Sequence, residues 1–217
     1  MCVNMAKTKC MRNAQVADNT IHIGQNQIEQ VDSYIYLGQK LTMEHKNSRE
    51  LARRRKAAWI SYTSIAEVVN NMGNNTTRRA ELFNSTVLPA MLYGAETWSL
   101  TAADRLKLAV TERAIERQMI GVKWTDRISN EQMRQMTKVK DAVKLADKSK
   151  KRWAGHLARR TDGRWTLAVT EWLPLDIKRP LGHPATRWRD QLRQEMGRNW
   201  MCLARDRKAW VLRCGLR

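Results

Sequence analysis

Residues 101–121 read TAADRLKLAVTERAIERQMIG, a segment that carries both the start signal and the stop signal of an α-helix. Thr101, with Asp104 three residues on, forms a capping-box pattern, in which two side chains satisfy backbone N–H groups of the first turn. Gly121 supplies the residue type that most readily ends a helix in the left-handed conformation. The segment therefore predicts a helix to about Ile120 and favours a mainly α fold.

Similar signals predict further helices on both sides of this segment. Their expected starts are Asn47 or Ser48, Thr76 or Thr77, Ser129, Lys140, Trp165, Ala185 and Asn199. Pro89 is expected to kink or stop the second of them, because proline has no N–H to donate. The last is expected to run without a break over about 199–213. The proline-containing stretch 178–184 is predicted to be an extended linker.

The N-terminal residues follow a different pattern. Residues 21–31 alternate apolar and polar side chains around Gly24, which predicts a short hairpin, and residues 34–38 predict a third strand. We therefore expect a small β remnant followed by a helical body. The predicted regions are 1–45, 46–137 and 138–217.

The charge of the chain indicates its partner. The formal net charge is +19, and residues 151–217 hold 16 of the 40 Lys and Arg together with six of the nine Trp. Arginine binds phosphates with a planar fork and stacks on aromatic faces. A folded surface rich in both residue types predicts nucleic acid as the partner.

Other classes of protein fit the sequence less well. The four Cys lie within the first ten and the last sixteen residues, which suits reduced thiols in the nucleus or cytoplasm better than a disulfide framework. No apolar run approaches the roughly 20 residues that span a bilayer. The first residues lack the apolar core of a signal peptide. We therefore expect an intracellular protein with no membrane partner.

Four short blocks of the sequence, taken together, match one known protein family. They read NMAKTK at 4–9, YLG at 36–38, LPAMLYGAETW at 88–98, and a last block from WAGHLARR at 153–160 to TRW at 186–188. In this order they resemble the C-terminal portion of a non-LTR retrotransposon reverse transcriptase, most of all the RTE type. The resemblance implies the end of a palm subdomain, a helical thumb and a basic C-terminal region that grip template–primer or element RNA.

The chain departs from this family where the chemistry would lie. An RNA-directed DNA polymerase needs carboxylates that hold two metal ions, and the family takes part of them from an Asp-Asp pair. No such pair occurs in the 217 residues, and the family's endonuclease is missing. GHP at 182–184 also replaces the usual Gly-Arg-Pro. We expect a truncated open reading frame whose product is inactive alone, needs no cofactor, and would meet the missing palm in a full-length relative.

The candidate nucleic-acid contacts are basic residues from all three regions and one tryptophan. They are Lys7, Lys9, Arg53, Arg54, Arg55, Lys56, Arg152, Arg159, Arg160, Arg164, Trp165, Arg187 and Arg189. The resemblance makes Lys7 a candidate proton donor to the leaving pyrophosphate and places 53–56 on a thumb helix along a duplex. The alternative for Lys7 and for residues 53–56 is that they are basic side chains exposed to solvent. For 53–56 the reason is that four consecutive positions point in different directions around a helix. Trp165 is expected to be exposed and to stack on an unpaired base, while most other C-terminal Trp form core.

Two alternatives stay open at this stage. A basic module that docks an acidic protein would carry the same charge. Asp176 and Lys178, with Asp162 upstream, match part of a metal-dependent nuclease site, although three residues match easily by chance. His156 lacks zinc-ligand partners at the usual spacing, because Cys202 and Cys214 are far apart in sequence, so no metal site is predicted.

Overall fold

The computed structural model describes residues 3–12, 16, 19–42, 47–163, 165–171, 182 and 186–216. Its architecture is mainly helical, with short strands only near the N-terminus, as predicted. The chain divides into two compact units, Met1–Arg53 and Arg54–Arg217. The predicted division into 1–45, 46–137 and 138–217 remains a prediction.

In the N-terminal unit the described residues form six short strands in three pairs. The strands are β1 (Lys9–Cys10), β2 (His22–Ile23), β3 (Asn26–Gln27), β4 (Glu29–Gln30), β5 (Ser33–Tyr36) and β6 (Gln39–Thr42). β2 and β3 form the predicted hairpin, and β5 is the predicted third strand, paired with β6. The parallel pairing of β1 with β4 was not predicted, because it joins segments about twenty residues apart. Glu50, buried in the first turn of the following helix, accepts a hydrogen bond from the Lys40 backbone N–H at 2.8 Å.

The first helical segment begins at Ser48, as the sequence predicts. α1 is Ser48–Asn71, α2 is Thr76–Leu82, and a single π-helical turn, Phe83–Val87, leads into α3 (Leu88–Leu92). Of the two outcomes predicted at Pro89, a kink or a stop, the stop is wrong, because Pro89 lies in the first turn of α3, where a missing N–H costs little. The predicted cap at Thr76 or Thr77 is also wrong by a residue. Asn75 caps α2 and accepts from the Arg78 backbone N–H at 3.0 Å.

The middle helices agree with their sequence signals. α4 is Ala102–Ile120, with the Thr101 and Asp104 capping box in place and Gly121 in the left-handed conformation at φ 71°. α5 is Asn130–Thr137, with a second capping box from Ser129 and Gln132. Both predictions are confirmed.

Five helices lie in the part of the C-terminal region that the structure describes. They are α6 (Ala142–Ala158), α7 (Trp165–Glu171), α8 (Trp188–Met196), α9 (Trp200–Arg205) and α10 (Arg207–Cys214). The prediction of one unbroken helix over 199–213 is wrong. Asp206 adopts an extended conformation between α9 and α10, and its carboxylate accepts from the Lys208 and Ala209 backbone N–H groups at 2.8 and 3.1 Å. The predicted linker at 178–184 falls almost wholly outside the described residues.

Large and small side chains alternate in the core of this region. Ala154 and Ala158 of α6 pack with Trp200 and Trp210, which are both buried as predicted. At Gly155 a Cβ atom would lie 2.7 Å from Cδ1 of Trp210, so only glycine fits beneath that indole. The Trp210 indole N–H donates to the Lys151 carbonyl at 2.9 Å. α9 and α10 are thereby held against one face of α6.

Candidate nucleic-acid interface

The exposed side of α6 carries a row of basic residues at four-residue intervals. Lys144, Lys148, Arg152 and His156 are all exposed, and we name them the α6 basic stripe. At 1.5 Å per residue the stripe extends about 18 Å along the helix. Successive members are rotated by about 40°, because four residues exceed one 3.6-residue turn. The stripe therefore winds slowly around the outer side of the helix.

The opposite side of α6 explains why these residues face solvent. Its buried positions are Ala142, Ala146, Lys150, Ala154, Gly155, Leu157 and Ala158. Asp147, the acidic residue within the helix, turns away from the stripe and accepts two hydrogen bonds from the Arg105 guanidinium, each of 2.8 Å. Lys151 pairs with Glu195 at 2.6 Å. Within the described part of the chain, no carboxylate forms an ion pair with a member of the stripe.

This arrangement has an electrostatic consequence. Like charges four residues apart on a helix destabilise it by about 0.2–0.5 kcal/mol per pair. Lys144, Lys148 and Arg152 form two such pairs without an acidic neighbour that relieves them. A polyanion along α6 would remove this repulsion and exchange its own counterions for the side chains. The stripe is therefore the candidate interface.

Of the predicted contacts near α6, only Arg152 belongs to the stripe. Arg159 is half-buried and donates to the Ala204 carbonyl at 2.7 Å. Arg160 lies 5.8 Å from the centre of the Trp153 ring, with its Nη1 3.9 Å from the Asp162 carboxylate. Arg164 lies outside the described residues. Both Arg159 and Arg160 thus hold the end of α6 in place as well as adding positive charge there.

Arg187 and Arg189 flank the start of α8. Arg187 is half-buried, and its backbone N–H donates to the Asp190 carboxylate at 2.8 Å. Arg189 is 5% exposed and donates to the Thr170 and Glu171 carbonyl oxygens at 3.2 and 2.7 Å. Its prediction as a surface contact is corrected, because its guanidinium joins α8 to the end of α7.

The predicted basic run 53–56 points in different directions, as consecutive helical residues must. Arg53 binds Glu50 and the Gly38 carbonyl inside the N-terminal unit. Arg54 is 8% exposed, with its guanidinium 4.4 Å from the centre of the Tyr93 ring. Arg55 donates to the Thr111 hydroxyl at 2.6 Å, which leaves Lys56 as the fully exposed member.

The remaining candidates separate into an ion pair and two exposed side chains. Lys9 is paired with Glu29 on the neighbouring strand, and Lys7 is exposed. Trp165 is 80% exposed, as predicted. Asp176 and Lys178, the residues of the nuclease alternative, lie outside the described residues, as does Trp172.

Two blocks of the sequence that lie far apart meet against α6. The Trp188 indole N–H donates to the Glu96 carbonyl at 2.7 Å. The buried Lys150 donates to the Trp98 carbonyl at 3.1 Å and lies 5.3 Å from the centre of the Trp188 ring. Burial lowers the pKa of Lys150 to about 8. These contacts tie the 95–98 turn and α8 to α6, and so fix which side of α6 remains exposed.

The sequence analysis overlooked Lys144, Lys148 and His156. Their four-residue spacing is visible in the sequence, but Lys150 and Lys151 lie among them and look equally basic. Only the packing separates the buried Lys150 and the paired Lys151 from the exposed stripe.

The described residues contain neither a cluster of three potential metal ligands nor a helix that could span a membrane. None of their His, Cys, Asp and Glu side chains cluster in threes as a metal ion would require. No helix among them has the length and apolarity needed to cross a bilayer.

Comparison with known proteins finds one informative relative. A Caenorhabditis elegans protein described as transposon-derived is 34% identical over 226 aligned residues, which cover 96% of this chain and 81% of the relative. No protein-family model matches the chain. No solved structure matches it either.

Proposed function

The chain belongs to the family of this transposon-derived protein, and from that premise we propose that it binds nucleic acid through the α6 basic stripe. In this proposal it corresponds to the palm end, thumb and C-terminal region of a non-LTR retrotransposon reverse transcriptase. It grips template–primer or element RNA and has no polymerase site of its own, since the sequence contains no Asp-Asp pair. The observation that carries the proposal is the stripe.

Three features support a polyanionic partner. The net charge of +19 attracts nucleic acid at long range. Lys144, Lys148 and Arg152 are exposed in a row along a helix that is itself fixed by buried neighbours. Side chains of this kind bind phosphates, which position a nucleic acid without reading its sequence. Binding with little sequence preference is the expected behaviour.

A salt titration of the full chain with labelled RNA and DNA tests the proposal. The charge-neutralising variant is Lys144→Gln, Lys148→Gln and Arg152→Gln together. Each phosphate contact contributes about −0.7 to −0.9 to the slope of log affinity against log salt concentration. Loss of three contacts should therefore make the slope of the variant shallower by about 2 to 3. The stripe residues are exposed, so the melting temperature should change little.

The matched control removes the same charge elsewhere. Arg78, Lys107 and Lys123 are exposed on other parts of the helical unit, and their change to Gln lowers the net charge by the same amount. We expect the control to keep most of the slope. An equal loss in both variants would show that binding follows net charge and not the stripe. Binding that is indifferent to salt, or no binding of either nucleic acid near physiological salt, would overturn the proposal.

A further inference from the structure

Trp165 is the most exposed of the described large hydrophobic residues. It is 80% exposed at the start of α7, and Val169, one turn later, is also exposed. By contrast, Trp200 and Trp210 are almost completely buried in the core next to α6. An indole that contacts so little of its own chain is available to a partner.

The position of Trp165 relates it to the α6 basic stripe. α7 packs against α6. Only five residues separate Trp165 from Arg160 near the end of α6, so their Cα atoms are at most about 17 Å apart. His156, the last member of the stripe, lies one turn before Arg160. A chain of phosphates that follows the stripe towards the end of α6 therefore reaches the neighbourhood of an exposed aromatic ring.

We propose that Trp165 stacks on an unpaired base, and that the stripe together with Trp165 binds single-stranded nucleic acid in preference to duplex. Basic side chains that track a backbone and an aromatic ring that stacks on bases are the two components of single-strand binding sites. In a duplex every base is already stacked and paired, so Trp165 gains nothing from it. The inference rests on the proposed function, because it assigns a strand form to the same surface.

The preference should be insensitive to base identity. Every base has a face on which an indole can stack, and the ring offers one N–H donor and no acceptor. Phosphate contacts to Lys144, Lys148 and Arg152 carry no sequence information. Single strands of different sequence should thus bind with comparable affinity.

The test compares two probes of equal charge with the full-length chain. One is a fluorescein-labelled 20-nucleotide oligo-uridylate, and the other is a labelled blunt-ended duplex of about ten base pairs, which has about the same number of phosphates and no unpaired bases. We expect Trp165→Ala to weaken binding of the single strand by about 5- to 150-fold and to leave binding of the duplex unchanged. Trp165→Phe, which keeps an aromatic face, should recover much of the loss.

The control is Leu212→Ala on α10. Leu212 is 76% exposed, so its truncation removes a similar apolar surface from another helix. It should affect neither probe. Loss of binding to both probes in Leu212→Ala would mean that apolar exposure in general, and not Trp165, assists binding.

The outcomes separate this inference from the proposed function. If the wild-type chain binds neither probe at physiological salt, both fail. If the wild-type chain binds both probes, two results for Trp165→Ala refute the stacking role while the proposed function stands. One is an equal loss of affinity for both probes, and the other is no loss for either. If Trp165→Phe binds the single strand no better than Trp165→Ala, the indole acts through packing and the inference is again refuted.

Discussion

A buried ionic network between α4 and α5 allows a quantitative prediction. Glu112 and Glu116 lie one turn apart on α4, and both are completely buried. The Arg134 guanidinium of α5 donates to both carboxylates, at 3.1 and 3.2 Å. The Thr137 hydroxyl donates to Glu116 at 3.0 Å, and the Ala142 backbone N–H donates to Glu112 at 2.8 Å. Arg134 is thus the cation that joins the two acidic groups to α5.

Arg134→Met should be strongly destabilising. The change keeps an apolar side chain of similar length but leaves Glu112 and Glu116 without their shared partner. Removal of one partner from a buried ion pair costs about 3–5 kcal/mol. Arg113 remains 3.2 Å from one carboxylate and 3.9 Å from the other, so it offsets part of the loss. We expect a loss of about 3–4 kcal/mol, a large share of the roughly 5–15 kcal/mol typical of folded proteins.

Urea unfolding at pH 8, followed by far-ultraviolet circular dichroism, measures this loss. Arg78→Met is the matched control, since Arg78 is exposed on α2 and should change stability by less than about 0.5 kcal/mol. The triple variant Arg134→Met, Glu112→Gln and Glu116→Gln removes the charges together and should recover most of the loss. A loss below about 1 kcal/mol in Arg134→Met would refute the reasoning, because the carboxylates would then need no buried cation.

Two further predictions concern stability. Burial raises the pKa of Glu112 to about 7 from its ordinary 4.5, so protonation favours the folded state. This stabilisation is complete below about pH 4.5 and is lost as the pH rises through 7, by up to about 3 kcal/mol. Glu112→Gln should flatten the dependence of the urea midpoint on pH between 5 and 8, and an unchanged dependence would assign it to other groups. Gly155→Ala should lower stability by about 1–3 kcal/mol because its Cβ collides with Trp210, and a thermal melt equal to that of the parent would show that the indole can move away.

The sequence predicted the elements whose signals are local. The ends of α4 and α5 follow from capping boxes and a C-terminal glycine, interactions that span at most four residues. The break at Asp206 was also encoded locally, but a carboxylate inside an apolar pattern does not show whether it will cap a new helix or face solvent. The parallel pairing of β1 with β4 joins segments that are far apart in the sequence. The alternation of apolar and polar side chains within each segment does not indicate which strand it pairs with, or in which register.

The sequence predicted a basic surface, but it did not predict which basic residues are exposed on it. Net charge and the Trp-rich C-terminus indicated the C-terminal part of the chain, and Arg152 and Trp165 of the proposed surface were named from the sequence. The burial of Arg54 and Arg189 was not foreseen, because a guanidinium can satisfy backbone carbonyls or cover an aromatic ring as readily as it binds phosphate. Which use prevails depends on tertiary packing.

The family-like blocks and most of the candidate interface occupy different residues, since His156 is the one member of the α6 basic stripe that lies inside a block. Glu96, Trp98 and Trp188, all inside those blocks, make contacts that join the 95–98 turn to α6 and α8. Gly155, also inside them, admits the Trp210 indole. Lys144 and Lys148 lie outside every block and make no ion pair within the described residues. The resemblance therefore speaks for a shared packing arrangement, whereas the proposed binding surface has to be judged on its own exposure and charge. A relative could keep every block and lose Lys144, Lys148 and Arg152, and we expect it to keep the fold and to lose most of the proposed affinity for nucleic acid.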